Sequence, residues 1–97
     1  MDIQKADTGN VGKRTEERYP FLKTVKCVCI PEGKDSFKAV TIDISKSGMS
    51  LYLFTGSIRE GIQVRVQDEL PVSSQTGTVR WVQRVDQDLF KAGLQFQ

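Results

Sequence analysis

Apolar residues recur at every second position through several stretches of this chain, and the breaks between those stretches are short. Ile62, Val64 and Val66 alternate with Gln63, Arg65 and Gln67; Phe90, Ala92, Leu94 and Phe96 alternate with Lys91, Gly93, Gln95 and Gln97. A period of two gives an extended strand one face for a core and one for solvent. Leu22 to Ile30 carries Val25, Cys27 and Cys29 on one face, and Phe37 to Ile44 sets Val40, Ile42 and Ile44 against Ala39, Thr41 and Asp43. Met49 to Phe54 is apolar on both faces, and Val79, Trp81 and Val85 mark a long fifth strand. Pro31-Glu32-Gly33-Lys34-Asp35, Ser45 to Gly48 and Asp86-Gln87-Asp88 have the composition of turns. Connections this short join antiparallel neighbours, because parallel ones need a crossover of a dozen or more residues. Short strands leave edges that invite pairing with other chains, and closing the sheet removes them. The expected fold is therefore all-β, a small six-stranded antiparallel β-barrel with a flexible N-terminal arm.

The 97 residues suit one domain with a modest core. Residues 1–12 are polar and unpatterned and are expected to form a disordered tail, leaving 13–97 as the domain. Lys13 to Pro20 reads as a loop or one unstable helical turn, since Pro20 disfavours helix at Tyr19. The net charge is only +2, and the surplus falls within residues 1–30, which hold six Lys/Arg against four Asp/Glu. That favours a local anion site over a polyanion-binding surface, which carries a larger basic excess. The first residues lack an apolar signal core, and no run approaches the ~20 apolar residues of a membrane-spanning helix, so a cytoplasmic location without membrane insertion is expected. Cys27 and Cys29 lie too far apart along one strand for a relaxed disulfide. They read as small buried apolar residues, since a metal site needs further ligands and the chain has no His.

Two short segments carry chemistry. Arg14-Thr15-Glu16-Glu17-Arg18 places two guanidiniums four residues apart, and Asp43-Ile44-Ser45-Lys46-Ser47-Gly48 follows at a strand end. An arginine fork matches phosphate oxygens or O6 and N7 of guanine. A carboxylate accepts the N1–H and N2–H of guanine, and a serine hydroxyl donates to a phosphate oxygen. Glycine admits a close approach of ligand or backbone. The plainer alternatives are a solvated charge cluster, with Glu16 and Glu17 beside the arginines, and an ordinary strand-ending turn. If Val40, Ile42 and Ile44 face the core, Asp43 points away from it.

These segments resemble the two signatures of the PilZ family of bacterial cyclic di-GMP receptor domains, R-x-x-x-R followed by D/N-x-S-x-x-G. Gly77-Thr78-Val79-Arg80-Trp81-Val82 and Ala92-Gly93-Leu94-Gln95-Phe96 also fit, so the resemblance runs from about Lys13 to Gln97. It implies a six-stranded barrel and cyclic di-GMP as ligand, with Lys13, Arg14, Arg18, Asp43, Ser45 and Gly48 at the site. Many relatives add a C-terminal helix; none is expected here, since only Gln97 follows Phe96. In the family, the residue at Lys13 influences whether one nucleotide or a stacked pair is bound. A basic residue favours the pair, although arginine is the clearer case. The resemblance further implies a receptor acting through a separate effector protein, in motility, biofilm or exopolysaccharide control. Ligand charge is expected to order the arginine segment by giving it the partner it lacks when free.

Trp81 reads first as a core or barrel-end aromatic, because stacking on a ligand requires an exposed face. A small nucleic-acid-binding barrel is the first rival, disfavoured by the slight basic excess and only eight aromatics. The second is a barrel that interacts with proteins independently of nucleotide. An enzyme is not expected, and neither is a cofactor, because the chain lacks His and any His-paired nucleophile.

Overall fold

The computed structural model describes residues 17–30, 36–55 and 58–97. The expected tail at 1–12, Lys13, Arg14 and the turn at 31–35 lie outside the described residues. The strands are β1 (Tyr19–Pro20), β2 (Thr24–Ile30), β3 (Ser36–Ile44), β4 (Gly48–Leu53), β5 (Gln63–Val66), β6 (Thr76–Asp86) and β7 (Leu89–Phe96). Every pairing is antiparallel. Six strands close in the order β3-β2-β5-β6-β7-β4, with β4 returning to β3. The expected six-stranded barrel is thus present, with no helix among the described residues.

The two-residue β1 lies along the same β3 neighbour as β2, pairing Tyr19 with Ile44 and Pro20 with Asp43. A strand stands here in place of the expected loop or helical turn; Pro20 is tolerated because its missing N–H matters least on an edge. Between β1 and β2 the chain leaves the regular ladder, and the Thr41 side chain holds it in place. The Thr41 hydroxyl donates to the Phe21 carbonyl and accepts from the Lys23 N–H at 2.9 Å. Thr41 is fully buried, so this hydroxyl satisfies backbone groups that would otherwise be stranded away from water.

The core is built from Val25, Cys27, Ala39, Ile44, Met49, Leu51, Leu53, Val64, Val66, Val79, Ala92 and Leu94, with Ile58 and Leu70 supplied by connections. The two cysteines form no disulfide with each other. Burial, then the nearby Asp68 and Cys29, push the Cys27 thiol up to about 12, so at neutral pH it is a protonated apolar side chain.

The expected facing of β3 needs correction. Ala39 and Thr41 point inward, while Val40 and Ile42 are half-buried on the other face. The register against β4 then slips between Thr41 and Asp43, leaving Ile42 as an extra residue. Such a bulge resets the alternation. Ile44 returns to the core, and Asp43 faces outward as expected, but because of the bulge and not because Val40 and Ile42 face in. A similar slip between Val79 and Trp81 separates the buried Val79 from an outward Trp81.

Candidate functional site

Arg18, the described arginine of the first segment, meets Asp43 of the second on the outer face of the barrel. Arg18 Nη2 lies 2.8 Å from Asp43 Oδ1, and Nε donates to the same oxygen at 3.3 Å. Nη2 also lies 3.5 Å from the Ser50 hydroxyl. The pair is about one-third exposed on each side, so water screens it and it stabilises the fold by only about 0–1 kcal/mol. Because both donors converge on Oδ1, Oδ2 takes no hydrogen bond among the described residues. The expectation that the arginines lack a partner without ligand does not hold for Arg18, which is already docked on Asp43.

Asp43 is placed by the β3 bulge and by its pairing with Ser50 on β4. Ser45 opens the turn into β4. Its N–H donates to the Gly48 carbonyl at 2.8 Å and its hydroxyl to the same oxygen at 3.3 Å. Ser45 is buried at 2% exposure, so it braces the turn from beneath. Gly48 sits where β4 and β7 pack closely: a Cβ there would lie 2.4 Å from the Leu94 carbonyl oxygen. The Phe96 N–H, donating to the Ser47 carbonyl at 2.7 Å, ties the same turn to β7.

Registers place a single row across the outer face. Trp81 on β6 pairs with Gly93 on β7, Gly93 with Ser50 on β4, Ser50 with Asp43 on β3, and Asp43 with Pro20 on β1. Trp81 is not in the core. It is 39% exposed, and its indole lies against the Gly93 backbone, where a Cβ would come within 2.2 Å of Nε1. Glycine at a polar-face position of a clean alternation is the sequence signal for such a close approach. Ser50 was missed because it stands in an otherwise apolar strand.

Beside β1 opens a cavity of about 850 Å³, lined by Tyr19, Pro20, Phe21, Ile44, Pro71 and Val72 together with Glu17 and Lys46. Ser45 lines it and Arg18 and Asp43 do not, although Pro20, the register partner of Asp43, does. The Tyr19 hydroxyl donates to Glu17 Oε1 at 2.5 Å, and that hydrogen bond, followed by partial burial, raises the phenol above its usual range.

Among the described residues no cluster of His, Cys, Asp or Glu is arranged to hold a metal ion, and no helix is long and apolar enough to cross a membrane. The sequence profile of the PilZ domain matches residues 12–97, nearly the whole chain. Comparison with curated proteins gives no match.

Proposed function

The chain belongs to the PilZ domain family, and from that premise we propose that it is a cytoplasmic receptor for cyclic di-GMP, which it binds on the outer face where Arg18 meets Asp43. The family is generally one of cyclic di-GMP-binding receptor domains, not of catalysts. The observation that carries the reading is the 2.8 Å contact between Arg18 and Asp43, which brings together two motif segments 25 residues apart.

In the proposed complex Arg14 and Arg18 grip phosphate oxygens or the O6/N7 edge of guanine, with Lys13 adding a cation. The Asp43 carboxylate accepts the N1–H and N2–H of guanine. Ser45 and Gly48 shape the turn that presents it, and the exposed face of Trp81 offers a base a surface to stack on. Before the ligand enters, Arg18 and Asp43 neutralise each other. Exchanging that screened pair for charge-assisted contacts costs little and returns more. Binding then engages 13–18 as a unit and alters the surface offered to a separate effector protein.

Calorimetric titration with cyclic di-GMP, with GTP and cyclic di-AMP as controls, tests this. The expected result is saturable binding of cyclic di-GMP alone, weakened by about 1–3 kcal/mol in Arg18→Ala, the scale of a bidentate arginine contact. Absence of binding by the unaltered chain overturns the reading, and undiminished binding by Arg18→Ala overturns the site.

A further inference from the structure

On β7, Ala92 and Leu94 belong to the core, which turns Lys91 and Gly93 outward; on β4, Leu51 and Leu53 do the same for Ser50 and Tyr52. The β4–β7 ladder runs without a slip and sets Gly93 against Ser50 and Lys91 against Tyr52. On its other side Lys91 meets Gln83. Both direct neighbours of Lys91 are therefore uncharged, and Ser50 and Trp81 are its diagonal neighbours. Diagonals of about 7–8 Å lie within reach of long side chains.

Two larger side chains lean over the small pair Gly93 and Ser50. The Trp81 indole lies against Gly93, and Arg18 Nη2 lies 3.5 Å from the Ser50 hydroxyl. Arg18 is matched in charge by Asp43 at 2.8 Å. Lys91 is half-buried and takes part in no side-chain hydrogen bond or ion pair among the described residues. Asp86, opposite Leu89, uses Oδ1 to accept the Gln87 N–H of its own hairpin at 2.8 Å. Of the two cations beside the row from Asp43 to Trp81, Arg18 and Lys91, only Lys91 carries a charge that no described carboxylate matches.

Taking this face as the cyclic di-GMP site, we propose that the site extends to Lys91, which holds the phosphate that the arginine segment does not. A cyclic dinucleotide carries one charge on each of two phosphodiesters set across its ring. Cations gathered at the Asp43 end cover one of them. An ammonium on a flexible stem suits the other, because a point charge finds a phosphate oxygen without the angular match that a guanidinium demands. Asp43, Trp81 and Lys91 do not lie on one line. A guanine edge on the first, a base face on the second and a phosphate on the third fix the orientation of the ligand.

Calorimetric titration of the full chain with cyclic di-GMP, alongside Lys91→Ala, Lys91→Arg and Lys91→Glu, tests this. Arg65→Glu is the control: Arg65 is exposed on β5, across the barrel from β4, and the change in net charge equals that of Lys91→Glu. Lys91→Ala should bind roughly tenfold more weakly, the scale of one hydrogen bond to a charged group. Lys91→Glu should bind more weakly still, and Lys91→Arg close to the unaltered chain. Added salt should narrow the gap between Lys91→Ala and the unaltered chain, since the contact is between charges that water reaches. Urea midpoints should match throughout the Lys91 series, because the ammonium has no partner in the fold. Absence of binding by the unaltered chain overturns the reading of the whole face. Binding that falls in Arg18→Ala but is no weaker in Lys91→Ala than in Arg65→Glu overturns the role of Lys91 alone. So does a Lys91→Arg variant as weak as Lys91→Ala.

Discussion

Asp43 reaches solvent because the residue before it is extra. With Ile42 bulged, the carboxylate stands beside Arg18 and Ser50 instead of entering the barrel beneath Thr41. If Asp43 supplies acceptors to guanine, Asp43→Ala should weaken cyclic di-GMP binding more than Asp43→Asn, which keeps one acceptor oxygen. The reverse order in a titration removes that role. The two close-approach glycines part on the same physical ground. A methyl group at Gly48 meets the Leu94 backbone oxygen at 2.4 Å, and only a separation of β4 from β7 can relieve it. At Gly93 the obstacle is the outer part of the Trp81 indole, a partly exposed ring that can swing aside. Gly48→Ala should therefore lie at or above the top of the ~1–3 kcal/mol range for overpacking. Gly93→Ala should lie nearer the bottom and shift the tryptophan emission. Equal losses in urea unfolding contradict this account.

At the scale of elements, the strands were legible in the sequence wherever the alternation was uninterrupted, as in Ile62 to Val66 and Phe90 to Phe96. They were misread where a bulge intervened. In β3 the small Ala39 and Thr41 face in while Val40 and Ile42 face out, and a rule that ranks positions by hydrophobicity cannot anticipate this. The bulge at Ile42 and the slip beside Trp81 leave no compositional mark, since both depend on how the neighbouring strand is met. The pairing of β1 was hidden for a related reason: its two residues are fixed by β3 and by the Thr41 hydroxyl, not by local pattern. Thr41→Val, nearly isosteric, strands the Phe21 carbonyl and the Lys23 N–H. We expect a loss of about 1–3 kcal/mol, with faster hydrogen exchange at the Lys23 amide and little change across β5. Unaltered protection at Lys23 would falsify the role assigned to Thr41. The motif residues were easier to find than the strands that hold them, because Arg18 and Asp43 carry their chemistry in their identities, whereas the distance between them comes from the fold.

For the whole molecule, burial of Cys27 sets an alkaline limit. Its thiol titrates at about 12 when folded and near 9.0 in an unperturbed state. The native state thus favours the protonated form. Its contribution is complete below pH 9 and is lost as pH rises through the window up to about 12. The slope approaches one proton, about 1.4 kcal/mol per pH unit. Denaturant midpoints measured on either side of pH 9 should fall less steeply in Cys27→Ala than in the unaltered chain; parallel declines would show that other groups set the limit. Closure of the ring has a further effect on the row from Asp43 through Ser50 and Gly93 to Trp81. Its pitch is that of the hydrogen-bonded ladder, about 4.8 Å per strand, so its end backbones stand roughly 14 Å apart. The row is a ruler whose divisions are peptide groups. Replacing a side chain changes what is offered at a division, but moving one division relative to another requires adding or removing a strand.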